Sequence, residues 1–193
     1  MSRNRKPVID PPEALGTHVA LLRGLNVGGK NKLSMKDLIA MFVAAGCADV
    51  RNYIQSGNIV FRANAALAGR IPQLVTAEIA ERFHYRAPMV LRTADELLRV
   101  LRDNPFVQPG EDVGALHIMF LAGLPSSARV AMLDPRRSPP DSFVARGREI
   151  YLHCPNGVAR TRLTNDYFDS TLGTLSTGRN WKTVLKLVEM TRE

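Results

Sequence analysis

The sequence predicts an α+β fold made of two consecutive copies of one strand-and-helix pattern. The chain of 193 residues is 45% hydrophobic, which is enough to bury a sizeable core without disulfides or metals. Short β-type runs alternate with amphipathic helical segments from residue 17 onward. The order of these elements in the first half begins again in the second half. We therefore expect two similar subdomains, 17–93 and 94–193.

The first half of the sequence reads as β-α-β-β-α-β. Its elements, in chain order, are a strand at 18–24, a helix between Ser34 and Gly46, strands at 50–55 and 58–63, a helix at 67–83 and a strand at 88–92. Ser34 is a good N-cap and Gly46 supplies a left-handed stop, while Ser56-Gly57 predicts a hairpin turn. This is the order of ferredoxin-like folds, in which two helices cover one face of a four-stranded antiparallel sheet.

The second half repeats this order incompletely. Its elements are a Thr93-capped linking helix through Leu101, a strand at 115–121, a short helix at 126–133, a hairpin of 142–145 and 149–153 that turns near Gly147, and helical segments at 158–172 and 180–191. The pattern is β-α-β-β-α-α, so we expect a degenerate second ferredoxin-like subdomain. Residues 1–16 contain three prolines and show no periodicity, which predicts a flexible leader outside the fold.

The net charge of +8 is concentrated in one part of the chain. Residues 17–62 carry six basic and two acidic residues, a net charge of 6 − 2 = +4. A basic surface attracts anions such as phosphate esters or nucleic acid, so the expected partners are an anionic small molecule or a nucleic acid. The alternative is that the excess of basic residues serves solubility alone.

Other features exclude several classes of protein. The longest apolar stretch, 118–124, is too short to span a membrane, and the first 16 residues lack an apolar signal core. Cys47 and Cys154 fit no CxxC spacing, which favours free thiols in a reducing cytoplasm. The four histidines are far apart in sequence and no cofactor motif is complete, so we expect neither a metal nor a cofactor.

The first candidate site is a glycine-rich loop between the first strand and the first helix. Gly24, four residues and then Gly29-Lys30 match most of the phosphate-loop pattern. Asn31 stands where that loop needs a Ser or Thr for magnesium, so we expect no NTPase chemistry. The loop still predicts an anion nest, unless its glycines only permit a tight strand exit. The candidate ligand-binding residues are Arg23, Gly24, Asn26, Gly28, Gly29 and Lys30.

The second candidate is the hairpin turn with Gln55, Ser56 and Asn58. The first and third strands are central in a ferredoxin-like sheet, so we expect Arg23 and Asn58 to face each other. A half-buried arginine needs acceptors, and these three side chains offer neutral ones. The alternative is an ordinary Asn/Gly turn.

The third candidate is the segment before the last helix, with Arg179, Asn180 and Trp181. Thr177 or Asn180 is placed to cap that helix, whose first turn then presents free N–H groups beside Arg179. Trp181 can instead anchor the helix in the core. A further acidic pair at positions 166 and 169 is interpreted as a solvated helix face rather than as paired carboxylates.

Three separated motifs resemble one known family. They are 20–29 (ALLRGLNVGG), 53–61 (YIQSGNIVF) and Arg179-Asn180-Trp181 followed by Thr183, and the resemblance spans about residues 17–191. Together they are similar to the domain of unknown function 1697 (DUF1697) family. The resemblance implies two ferredoxin-like α+β subdomains and a bacterial, cytosolic protein, but no reaction, substrate or catalytic residue. Gly178 departs from the hydroxyl residue expected before Arg-Asn-Trp.

These observations support three hypotheses of function. The leading one is a binding module for a phosphate-bearing ligand, a class that includes nucleic acid, and it requires the three candidate segments to converge. RNA-recognition-motif stacking is not expected, because strand 18–24 contains no aromatic residue. The alternatives are an enzyme that acts on an anionic small molecule in a cleft between the subdomains, and a structural or interaction protein.

Overall fold

The computed structural model describes residues 14–26, 31–110 and 112–193. Gly28, Gly29 and Lys30 of the glycine-rich loop, and most of the predicted leader, lie outside these residues. The described residues form two four-stranded antiparallel sheets and six α-helices.

The first sheet follows the predicted order closely. Its elements are β1 (Gly16–Leu22), α1 (Met35–Ala44), β2 (Ala48–Tyr53), β3 (Asn58–Ala63), α2 (Ala65–Phe83) and β4 (Met89–Thr93), and β4 leads directly into α3 (Ala94–Asp103). The strand order is β2-β3-β1-β4. Ser34 caps α1, as its sequence position predicts, by accepting a hydrogen bond from the Asp37 amide.

The second sheet has the same topology as the first. Its elements are β5 (Leu116–Leu121), α4 (Ser127–Val130), β6 (Ser142–Arg146), β7 (Glu149–His153), α5 (Asn165–Leu172) and β8 (Ser176–Asn180), and β8 leads directly into α6 (Trp181–Arg192). The strand order is β6-β7-β5-β8. The prediction of an α+β fold with two ferredoxin-like subdomains is therefore confirmed.

Two details of the second half differ from the prediction. The helix predicted at 158–172 begins only at Asn165, and a strand, β8, lies where the sequence indicated none. The sequence of β8, STGRN, has no apolar residue to show a strand period. Its extended conformation comes instead from antiparallel pairing with β5. The second subdomain is thus complete in its strands, and what it lacks is helix length in the four-residue α4.

Helices α3 and α6 form a layer between the two sheets. The central core combines Val19, Leu21, Val60 and Val90 of the first sheet, Leu116, Ile118, Phe120 and Tyr151 of the second, and Leu97, Trp181, Val184 and Leu187 of the helices. Burying each large apolar side chain contributes about 1.5–3 kcal/mol, so this layer holds the subdomains together. The inner faces of both sheets are covered, which removes the surface that an RNA-recognition motif uses.

The outer faces of the sheets are covered unequally. Helices α1 and α2 pack on the first sheet around Leu38, Phe42, Ile71 and Val75. The second sheet has α5, the short α4 and irregular segments, around Leu163, Phe168 and Leu172. None of the helices in the described part of the chain is long and apolar enough to cross a membrane.

Candidate functional site

Segments from both subdomains meet where β1 ends, where β2 turns into β3, and along β8. They enclose a groove of about 400 Å³, which we call the junction groove. It is lined by Leu22, Arg23, Gly24, Leu25, Ile54, Ser56, Asn165, Thr177, Gly178, Arg179, Asn180 and Thr183. Described residues of the three candidate segments, Arg23-Gly24, Ser56 and Arg179-Asn180, therefore line one groove.

Arg179 connects the two subdomains from the fourth position of β8. Its Nε donates to Asn58 Oδ1 at 2.5 Å, its Nη1 to Thr177 Oγ1 at 2.9 Å and the Gly178 carbonyl at 2.7 Å, and its Nη2 to the Leu22 carbonyl at 2.7 Å. All these acceptors are neutral oxygens. The side chain is largely enclosed and lines the groove.

No carboxylate among the described residues contacts the Arg179 guanidinium directly. Burial lowers the pKa of Arg179 to about 10, so the guanidinium still carries its charge at neutral pH. The junction groove lies beside this guanidinium.

Arg23 does not face Asn58, so that expectation is wrong. In the sheet register Asn58 lies opposite Leu21, and Arg179 is the arginine that contacts it. Arg23 instead extends to α5, where its Nη1 lies 2.5 Å from Asp169 Oδ2 and its Nη2 2.8 Å from Asp166 Oδ1. Its charge is thus already compensated within the protein.

The acidic pair on α5 is only partly solvated, in contrast to the prediction. Asp166 is 91% exposed, but Asp169 is 26% exposed and also accepts hydrogen bonds from the Ser176 amide and hydroxyl. Sequence analysis missed this role. The spacing of three on a helix was the available signal, but it did not identify Arg23, 146 residues away from Asp169, as the partner.

Other candidate residues have structural roles in the loops. Asn26 links the end of β1 to the segment before α1 and to the hairpin turn, because its amide donates to the Leu33 and Gln55 carbonyls and its oxygen accepts the Leu33 amide hydrogen. Gly24 has a φ of 75°, which a glycine tolerates best. These contacts agree with the alternative that the glycine permits a tight strand exit.

The candidate residues of the hairpin turn and of the start of α6 also have structural roles. The Asn58 amide donates to the Ser56 hydroxyl and the Tyr53 carbonyl. Asn180 caps α6 by accepting the Thr183 amide hydrogen. The Trp181 side chain belongs to the central core, is 3% exposed and does not line the junction groove.

The other subdomain contains a matching arginine. Arg92 is the fourth residue of β4, as Arg179 is of β8. Its Nη2 donates to the Leu121 and Arg148 carbonyls, at the end of β5 and in the β6–β7 turn. Its Nε donates at 2.8 Å to Glu149, the first residue of β7, while Arg179 contacts Asn58, the first residue of β3. The two sites thus share one geometry, but only Arg92 has a carboxylate partner.

Groups that could support covalent or metal chemistry are sparse in the described residues. Burial raises the pKa of the Cys47 and Cys154 thiols to about 11, so both are protonated at neutral pH. No group of three or more His, Cys, Asp or Glu side chains in 14–26, 31–110 and 112–193 could hold a metal ion. The junction groove offers hydrogen-bond donors and positive charge.

Comparisons with known proteins identify the family and the fold. The family described as "Protein of unknown function (DUF1697)" matches residues 15–151, which leaves the Arg179 segment outside the match. The conserved bacterial protein SP0830 from Streptococcus pneumoniae has a similar structure, with a TM-score of 0.65 and 21% sequence identity over 92% of this chain and 99% of that chain. No curated protein matches the chain.

Proposed function

We propose that this chain, which belongs to the DUF1697 family, binds a small phosphate-bearing ligand in the junction groove. The observation that carries the proposal is the difference between Arg179 and its counterpart Arg92. Arg92 has the Glu149 carboxylate at 2.8 Å, whereas Arg179 has only the neutral Asn58 amide oxygen at the same place. A bound anion would supply the negative charge that Arg179 lacks.

The surroundings of Arg179 favour an oxyanion. Because Asn180 satisfies the Thr183 amide, the remaining N–H groups in the first turn of α6 are available as donors, and the positive end of the helix dipole faces an anion placed there. Lys182 is exposed in the same turn. Backbone donors, a helix N-terminus and nearby cations together are typical of phosphate sites.

The size of the groove favours a small molecule over a polymer. Its volume of about 400 Å³ lies within the range of ligand pockets, about 300–1,000 Å³. A nucleic acid would require an extended basic face, and the inner sheet faces are covered by α3 and α6. We therefore favour a small phosphate-bearing molecule over a nucleic acid as the ligand.

Calorimetric titration of inorganic pyrophosphate tests the proposal. The titration uses wild-type protein and Asn58→Asp in a low-salt buffer without phosphate. Asn58→Asp places a carboxylate against Arg179, where it competes with a bound anion. We expect wild-type binding and about a tenfold weaker affinity in the variant, equivalent to about 1.4 kcal/mol.

Gln108→Glu is the matched control, because it makes the same amide-to-acid change on an exposed loop that does not line the groove. Its affinity should stay within about twofold of wild type. Thermal melts confirm that each variant is folded. Absence of wild-type binding, or equal weakening by the two substitutions, would contradict the proposal.

A further inference from the structure

A second cavity lies on the outer face of the second sheet and adjoins the junction groove. Its volume is about 430 Å³, and we call it the outer-face cavity. It shares Asn165, Gly178, Arg179 and Asn180 with the junction groove. The two spaces therefore border the same residues of β8 and the start of α5.

A glycine lines the outer-face cavity where the first sheet has a leucine. Gly178 pairs with Met119 in the second sheet, as Leu91 pairs with Ala20 at the matching position of the first sheet. Leu91 packs against the core under α1 and α2, whereas the Met119 thioether lies beside Gly178 and fills part of the equivalent space. The irregular segment at 158–164 covers this face in place of a helix. Both that segment and β8 line the cavity.

The walls of the outer-face cavity suit a flat ring with polar edges. The exposed Val158 and the largely buried Met119, Leu152 and Leu163 line it with apolar atoms, and His117 and Thr161 add polar groups. Burial lowers the pKa of His117, so its ring is neutral at neutral pH and offers a hydrogen bond without a charge. An apolar pocket with a few convergent polar groups is typical of sites for small organic molecules.

We propose that the ligand is a phosphate ester of a heteroaromatic ring, of the mononucleotide class, with its ring in the outer-face cavity and its phosphate beside Arg179. This inference rests on the proposed function and adds the body of the ligand to it. The four shared residues place the two binding regions on neighbouring parts of β8 and α5.

The test compares four nucleoside monophosphates, AMP, GMP, CMP and UMP, with ribose 5-phosphate by calorimetric titration. All five carry one phosphate on a ribose, so a difference in affinity reports on the ring. We expect at least one nucleotide to bind about tenfold or more tightly than ribose 5-phosphate, because its ring leaves water for an apolar cavity.

Gly178→Ala places a methyl group in the cavity, where its carbon would lie 3.0 Å from Met119 Sδ, the flexible end of a side chain. We expect this variant to lose most of the preference for the nucleotide over ribose 5-phosphate. Gly69→Ala on α2 is the matched control, because nothing lies within 4 Å of a methyl group there. It should bind all five probes like the wild type.

The outcomes separate the two proposals. If ribose 5-phosphate binds and none of the four nucleotides exceeds it by more than about threefold, the inference about the ring is wrong and the proposed function stands. If Gly178→Ala keeps the full nucleotide preference, the ring lies elsewhere and the inference is again overturned. If wild-type protein binds none of the five probes, both proposals fail.

Discussion

Arg92 and Arg179 solve the same structural problem with different chemistry. Each extends from the last strand of one subdomain and donates to carbonyls at the strand end and hairpin turn of the other. Arg92 is 1% exposed and paired with Glu149, whereas Arg179 lines an open groove and has no carboxylate partner in the described part of the chain. Both arginines therefore join the subdomains through the same hydrogen-bond geometry, with or without a carboxylate partner. The two sites differ in the group that Nε contacts, a carboxylate at Arg92 and an amide oxygen at Arg179.

Replacing Arg92, the arginine of the closed site, should have the largest effect on the free energy of unfolding. Arg92→Met leaves the enclosed Glu149 carboxylate without its cation, and removal of one partner of a buried pair typically costs about 3–5 kcal/mol. Arg179→Met leaves only neutral acceptors, some of which water in the groove can reach, so we expect a loss of about 2 kcal/mol. Urea unfolding measures both free energies. If Arg179→Met proved the more destabilising, our assignment of the closed and open sites would be reversed.

The turn glycines of the two hairpins give the next largest contrast. Gly57 has a φ of 75°, and an added Cβ would lie 2.9 Å from Leu22 Cβ. Gly147 has a φ of 60°, but its nearest neighbour would be 3.8 Å away. Left-handed strain costs about 1–2 kcal/mol in either case. We expect Gly57→Ala to lose about 2–3 kcal/mol in unfolding free energy and Gly147→Ala about 1 kcal/mol; equal losses would show that the clash at Gly57 is relieved.

Glu149→Gln converts the closed site into a copy of the open one. The amide keeps an oxygen for Arg92 Nε but loses the charge, and hydrogen bonds to charged groups contribute about 1.5–3 kcal/mol. We expect a loss near the lower end of that range, about 1.5 kcal/mol, because one hydrogen bond remains. Thermal and urea unfolding should both show this loss of stability. A neutral or stabilising outcome would mean that Arg92 does not need the Glu149 charge.

The smallest expected effect concerns His18 and His117, which occupy matching positions of β1 and β5. Burial lowers the pKa of both side chains. The unfolded chain therefore binds protons more readily, so the stabilising effect is present above the unfolded pKa of about 6.5 and is lost as the pH falls below it. His18→Gln and His117→Gln should each lose less stability than wild type between pH 7.5 and pH 5.5. An unchanged loss in both variants would assign the acid sensitivity to other groups.

Much of the fold follows from local sequence signals. Ser34, Gly46 and the turn at Ser56-Gly57 mark element ends because capping and left-handed conformations have strong residue preferences. The strand β8 was missed because its pairing with β5, not its own residues, makes it extended. Strands of this kind depend on tertiary context, which a single sequence does not display.

Sequence patterns indicate the segments around Arg23, Ser56 and Arg179, and residues of all three line the junction groove. That these residues bind a ligand stays a prediction, and their contacts do not follow from the sequence. The wrong arginine was assigned to Asn58, because its true partner lies 121 residues away and depends on how the subdomains pack. The role of Gly178 likewise could not be predicted from the sequence, because it depends on the sheet register that aligns Gly178 with Leu91.

The middle helix layer also affects how the protein is made. Helix α6 follows all eight strands in the chain, so a ribosome completes both sheets before the helix that covers them emerges. Until then the nascent polypeptide exposes apolar residues such as Leu21 and Phe120 to solvent, and such surfaces aggregate or recruit chaperones. The nascent chain is therefore most exposed to misfolding in the interval before α6 emerges from the ribosome.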